Sequence, residues 1–280
     1  MQFKALLGLL ALAVAMPADA ALLGVDVAYA AAYQQTAPAT TSLTGFFFSG
    51  RAFMAPDDYD AGTLSVPGGA MYPLSHGTPD YLIFQTGYYA DLASLELDFG
   101  AGSYTFDVLD TVTSETDSVV LDRSAPLLFS STPLIANYAA LQSIDPTANF
   151  SIELDSGFIQ DSDATSAFSF VTIFDQTTNA FVYTNGFNLP STTSFFVAAN
   201  TLTAGHDYAV ETVFSNRLGG FSTNFTSVLS DVRTLAFFSV PLAPVATPEP
   251  GSWAMMIAGL GVAGMAMRRA RMRGQSSIAA

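Results

Sequence analysis

Between Ala21 and Thr247 the chain is written in short runs of Phe, Tyr, Val, Thr and Ser, punctuated by Gly, Asn and Asp. Few windows carry a helical period, so the pattern predicts an all-β fold. The clearest run is Gly102-Ser103-Tyr104-Thr105-Phe106-Asp107-Val108, in which Tyr104, Phe106 and Val108 recur with period two and share one face. Further strands are expected at 45–51, 63–67, 81–86, 117–122, 149–154, 167–174, 180–184, 194–198, 207–214 and 234–240, with Asn185-Gly186 as a turn signal. Two short helices interrupt them. Ala90–Phe99 is led by Asp91 and carries Leu92, Leu95 and Leu97; Asn137–Ile144 is capped by Asn137 and stops before Pro146. Residues 21–44, rich in Ala, Thr and Gln, read as a loose leader or an edge strand.

The segment Leu202-Thr203-Ala204-Gly205-His206-Asp207-Tyr208 resembles the corner before an inner strand in immunoglobulin-like and fibronectin-type III sandwiches. There a Tyr near the strand start bonds back to upstream backbone. Gly205 permits the tight approach, and Leu202 plugs the core. Gly102-Ser103-Tyr104 echoes this corner about one domain length earlier. Pro126 and Pro133 punctuate the join. The body therefore reads as two β-sandwich modules, 21–125 and 126–243. The chain has no cysteine, so its own core must hold it.

The body contains four basic residues (Arg51, Arg123, Arg217 and Arg233) and twenty-two acidic ones, which leaves it at −18. The chain's one lysine, Lys4, lies outside it. Nucleic acid is excluded as a natural partner, because phosphate neutralisation needs Lys and Arg. Adhesion to anionic lipid is weakened for the same reason.

Both ends carry sorting information. Lys4 begins a positive n-region, Ala5–Met16 is apolar, and Pro17-Ala18-Asp19-Ala20 ends in a small-x-small pattern set by Ala18 and Ala20. Residues 1–20 therefore read as a signal peptide cut after Ala20, which implies the Sec translocon and signal peptidase. Residues 244–273 read as a three-part tail. Pro248-Glu249-Pro250 is followed by an uncharged run from Trp253 to Met267, then by Arg268, Arg269, Arg271 and Arg273. As a helix the run spans roughly 22 Å, short of the ~30 Å hydrocarbon core. Snorkelling arginines close part of that gap and stay cytoplasmic. Residues 274–280 are expected to be a disordered end.

In this order the tail resembles the PEP-CTERM sorting signal of Gram-negative bacteria, in the PEPxxWA form given by Trp253 and Ala254. The resemblance implies an exosortase-type membrane protease as partner. It also implies transient anchoring in the inner membrane, then release or re-attachment at the cell surface, in biofilm or extracellular-matrix settings where exopolysaccharide is a candidate partner. The body resembles PEP-CTERM cargo proteins that pair a Gly-x-Tyr strand with a later Leu-x-x-Gly-x-x-Tyr strand, and that resemblance brings no activity with it.

Catalytic chemistry finds few reagents. There is no Cys, no body Lys and no Gly-x-Ser-x-Gly elbow, and the two histidines, His76 and His206, read as loop and exposed-turn residues. No histidine pair has zinc spacing. Glu96, Glu115, Glu153 and Glu211 could supply a glycosidase pair only if folding set two of them 5–10 Å apart in a cleft, roughly the separation such enzymes need. Asp57-Asp58-Tyr59-Asp60 and Asp161-Ser162-Asp163 lack the further ligands and the closing glutamate of a calcium loop. Tyr88 and Tyr89 are adjacent, so one must face out of a strand, where it could stack on sugar. Catalytic, metal and cofactor residues are expected to be absent. The leading expectation is a non-enzymatic surface or matrix protein. The alternatives are a carbohydrate-binding module for exopolysaccharide and, behind it, a polysaccharide hydrolase.

Overall fold

The alternating runs become thirteen strands and two short helices among the described residues. The computed structural model describes residues 22–54, 59–78, 80–110, 114–220 and 224–242. The signal segment and the tail motif therefore lie outside the described residues. The chain divides into two compact units, Met1–Pro241 and Leu242–Ala280. All the elements below belong to the first unit.

In chain order they are β1 (Leu22–Ala37), β2 (Thr40–Met54), β3 (Tyr59–Ser65), β4 (Met71–Thr78), β5 (Tyr81–Gln85), α1 (Leu92–Asp98), β6 (Gly102–Asp110) and β7 (Thr116–Arg123). Then come α2 (Tyr138–Leu141), β8 (Phe150–Glu153), β9 (Ser166–Asp175), β10 (Ala180–Thr184), β11 (Ser194–Val197), β12 (Asp207–Gly219) and β13 (Phe225–Ser239). Eleven strands form one sheet in the order β10-β9-β12-β13-β1-β2-β5-β4-β3-β6-β7, and β11 pairs with β8.

The sheet turns a corner at β4. Met71–Leu74 pairs with β3, whereas Ser75–Thr78 pairs with β5. Pro73, which has no N–H to give, sits in the half with a partner on one side only. β3, β6, β7 and α1 thereby enclose a core against β1, β2 and β5, built on Val27, Tyr29, Phe48, Leu64, Phe99, Tyr104 and Phe106. Phe48 stacks on Phe99 at 4.3 Å and on Tyr104 at 5.6 Å. A second core lies under β8, β11 and α2, against Val171, Ile173, Tyr208, Val210, Phe214 and Phe238. β13 gives Val228 to the first core and Ala236 and Phe238 to the second. These residues are even-numbered, so both cores sit on one face of the shared sheet.

The expected boundary at 125/126 does not interrupt that sheet. The connecting segment crosses it instead, held by buried side chains. Ser230 Oγ accepts from Leu128 N (2.8 Å), Asn216 Nδ2 donates to Leu128 O (2.7 Å), and Gln35 bonds both backbone groups of Ile135 (2.9 and 3.0 Å).

Of the expected 21–44 segment, the described residues 22–44 depart from expectation. They form neither a loose leader nor an edge: β1 runs between β13, in parallel, and β2, antiparallel. β2 begins at Thr40, five residues before the expected 45. Asp91 caps α1 as expected, accepting from Ser94 N at 2.7 Å, a bond that holds its carboxyl below the usual range. Asn137 precedes α2 but its side chain does not cap it. Its Nδ2 donates to Ser151 O and its Oδ1 accepts from Glu153 N, tying the turn to β8 instead.

The tyrosine corner is present. Tyr208 is fully buried, and its hydroxyl accepts from Thr203 N at 2.6 Å. Gly205, at φ +84°, donates to Val240 O at 2.7 Å. Tyr104 repeats the device, donating to Gly100 O at 2.7 Å. Replacing Tyr208 by Phe strands the Thr203 amide beside the core. Urea unfolding of Tyr208→Phe is expected to show a loss of about 1–3 kcal/mol at unchanged m-value.

Candidate functional site

The face opposite the two cores carries the chemistry that the sequence reading missed. Register places Asp26, Ala28, Ala30 and Ala32 of β1 beside Arg51, Ser49 and Phe47 of β2. On the other side they neighbour Ser227, Leu229, Asp231 and Arg233 of β13. β12 adds Arg217, Ser215, Val213 and Glu211, and β9 adds Phe168 and Phe170. Arg51 grips Asp26 through Nε and Nη2, both at 2.7 Å, with both side chains 2% exposed. Arg233 donates to Asp231 at 2.6 Å and to Glu211 at 3.2 Å, and Ser215 Oγ donates to Asp231 at 2.6 Å. Guanidinium groups also lie over rings, Arg233 over Phe47 at 5.2 Å and Arg217 over Phe168 at 5.1 Å.

Burial sets the electrostatics of this face. It pushes the Asp26 and Glu211 carboxyls up, against the pull of Arg51 and Arg233. It also lowers Arg217 to about 10. Three acids (Asp26, Asp231, Glu211) meet three arginines (Arg51, Arg217, Arg233), so the cluster balances internally and is built to be closed.

The fourth arginine anchors the first corner. Arg123 donates from Nη2 to Glu96 at 2.6 Å and from Nη1 to the Phe99 carbonyl at 3.3 Å, and its guanidinium lies 4.6 Å over Tyr29. The Tyr29 hydroxyl is 2.6 Å from that of Tyr104. Burial pushes both phenols up, Tyr104 above the range of ordinary titration.

The four glutamates are spread over separate elements. Glu96 pairs with Arg123, Glu211 with Arg233, and Glu153 accepts from Ser194 Oγ at 2.7 Å. Glu115 bonds through its backbone to Asp110 at the β6–β7 turn. His76 lies exposed in β4, not in a loop. His206, expected as an exposed turn residue, is partly buried, and its Nδ1 lies 2.8 Å from Asp175 Oδ2. Burial raises the Asp175 carboxyl, but bonds from His206, Thr178 and Thr177 together hold it below its usual range. Asp57 and Asp58 lie outside the described residues. Asp161 accepts from Asp163 N at 2.9 Å in an ordinary turn. Among the described residues no group of three or more His, Asp or Glu is arranged to hold a metal. Tyr88 and Tyr89 straddle the sheet. Tyr89 packs on Phe99 and donates to Asp98 at 2.8 Å, and burial with that bond pushes its hydroxyl up to about 12. Tyr88 lies edge-on to Phe47 at 5.6 Å and is 41% exposed.

Sorting residues Pro248, Glu249, Pro250, Trp253 and Ala254, the basic stop Arg268, Arg269, Arg271 and Arg273, and the cleavage pair Ala18 and Ala20 all lie outside the described residues. No helix among the described residues is long and apolar enough to cross a membrane. The tail is decided by family comparison: residues 246–271 match the model of the PEP-CTERM protein-sorting motif. The chain carries a PEP-CTERM sorting motif. The motif marks it as an exported, surface-directed protein of the kind processed by exosortase. No curated protein matches the chain.

Three solved structures are similar to this PEP-CTERM chain. One is the FN1–FN3 domains of chicken CNTN1, with 10% identity over 72% of this chain and 64% of that one, at a TM-score of 0.25. Another is the BSP domain of a biofilm associated protein, with 14% identity, 72% and 28% coverage and a TM-score of 0.19. The third is a tetra-tandem repeat from the extending region of a large adhesion protein, with 18% identity, 76% and 49% coverage and a TM-score of 0.18. The chain spans less than two thirds of each of them.

Two outcomes follow from the buried pairs. Arg51→Met leaves Asp26 buried without its cation and is expected to cost about 3–5 kcal/mol in chemical denaturation. The double change Asp26→Leu with Arg51→Met is expected to recover most of that loss. The second outcome is alkaline. Unfolded tyrosines lose their protons near pH 10, while Tyr29 and Tyr104 keep theirs higher. The folded state therefore binds more protons above about pH 10, and stability falls as pH rises through that range. The slope is at most about 1.4 kcal/mol per pH unit for each phenol. Urea unfolding between about pH 8 and 12 should show it, with a shallower slope in Tyr104→Phe.

Proposed function

We propose that this chain is a non-enzymatic surface or extracellular-matrix protein, delivered by its PEP-CTERM tail and associated with exopolysaccharide or biofilm. The observation that carries the reading is the sorting motif at residues 246–271. In this reading Sec and signal peptidase export the chain and remove residues 1–20. The apolar run holds it in the inner membrane until an exosortase-type protease cuts near Pro248-Glu249-Pro250. The body then works as two half-sandwiches in the immunoglobulin or fibronectin-III manner, built on one sheet. The commitments of the glutamates support a non-enzymatic role. Glu96 and Glu211 are held by Arg123 and Arg233, and Glu153 by Ser194, each on a different element of the described residues.

Mass spectrometry of the protein from culture supernatant and from the envelope tests the delivery. The expected mature chain begins at Ala21 and ends near Pro248. An intact arginine-rich end throughout would replace this reading with a permanent inner-membrane anchor.

Tyr88 supports the carbohydrate-binding alternative, because a half-exposed ring held edge-on by Phe47 is a candidate sugar platform. Co-sedimentation with the host's exopolysaccharide separates the two. Retention lost in Tyr88→Ala would favour the binding module, and equal retention of both proteins would favour the leading reading.

A further inference from the structure

We propose that the β1–β13 pair is a force-bearing clamp, so that the body resists tension entering through its C-terminal end. The proposal rests on the reading that exosortase-type processing re-attaches the chain to the surface through its new C-terminal end near Pro248, because that attachment directs any pull on the body into β13.

The geometry begins at Val240. Its N–H donates to His206 O at 3.0 Å, its carbonyl accepts from Gly205 at 2.7 Å, and its side chain is 1% exposed. The tyrosine corner thus locks the chain at the point where it leaves the body. Tension passing that lock runs along the axis of β13, a strand of 15 residues in the middle of the sheet. β13 is in register with β12 over thirteen residue pairs and with β1 over twelve. A pull along the strand must shear both ladders at once, because the antiparallel β12–β13 bonds lie perpendicular to it and the parallel β1–β13 bonds, though slanted, also bridge across it. A pull across a hairpin opens its bonds one after another.

The parallel sense of the β1–β13 pair makes the arrangement directional. Leu22 opens β1 at the end of the sheet where Phe225 opens β13, so the start of β1 and the exit of β13 point in opposite directions. Separating the chain ends slides the two strands past each other and peels neither. Buried side chains oppose the slip. Asp26 of β1 is clasped by Arg51 of β2, and Asp231 and Arg233 of β13 are tied to Ser215 and Glu211 of β12. A displacement by one residue turns every side chain on the strand to the wrong face.

The edge hairpin supplies the contrast. β7 ends the sheet, bonded only to β6, and Ser103 and Asp122 face each other at its open end. The absence of native cysteine lets thiol handles be placed at will. Two forms of the full chain would be pulled at one loading rate in an optical trap: Ala21→Cys with Leu242→Cys, and Ser103→Cys with Asp122→Cys. The expected result is a rupture force severalfold higher in the first form, with the central sheet lost in one step. Equal forces, or an early low-force release of β13 in the first form, would overturn the proposal. The measurement does not use the tail. Equal forces therefore leave the sorting reading standing, and an unprocessed mature tail would sink the sorting reading without changing the forces.

Discussion

The parallel pairing of β1 with β13 is the constraint on which the rest of the fold depends. It joins Gly24 to Phe225, 201 residues apart, and places the first and last strands of the body side by side at the centre of the sheet. Closing a loop that long is entropically costly, though the cost grows only slowly with length. Its consequence for folding is larger. The central ladder cannot form until the last strand is available, and a fold dominated by such distant contacts is slow to assemble. Both cores wait on it, because Val228 completes one and Phe238 the other.

That centre explains the use of charge. β1 and β13 are covered on both sides, yet they carry Asp26, Asp231 and Arg233. A buried ion pair adds little net stability over an apolar pair, because desolvation cancels most of the attraction. What it does add is discrimination. A β1 shifted by one residue would turn Asp26 away from Arg51 and into Val27's place in the first core. The alanines serve the same end by size: Ala28 lies beneath Phe168 and Phe170, and Ala30 and Ala32 beneath Phe47. Larger side chains there would lift the rings that close the face.

Much of the periphery was legible and much of the centre was not. β6 showed its period-two face, β10 matched its expected bounds, and α1 announced itself through Asp91 and its leucines. The corner at Tyr208 was readable because its glycine, leucine and tyrosine have fixed roles. β1 was misread because alanine and glutamine are poor strand formers. In a strand buried on both faces, contacts across the sheet override that preference, and the alternation that marks a half-exposed strand disappears. β4 was missed because Pro73 and Gly77 look like breaks, and only the corner between two layers makes them acceptable. Asn137 had the composition of a cap, but two backbone groups of β8 claimed its side chain first. The arginine clusters were invisible for a plainer reason: the partners of Arg51 and Arg233 are set by register, which no local window contains.

The same clusters decide what the surface can recognise. All four arginines of the body are buried, Arg51, Arg123, Arg217 and Arg233 at 2, 5, 6 and 1% exposure. The body has no lysine, so its described surface presents carboxylates and neutral groups without a fixed cation among them. Such a surface repels phosphate- or sulfate-rich polymers at low salt and has no bidentate fork to offer them. Contact with an acidic polysaccharide would therefore need a bridging cation, while a neutral glycan meets no such barrier. The same net negative charge opposes association between copies of the chain at any stage at which the central sheet is not yet closed and its strands are unpaired.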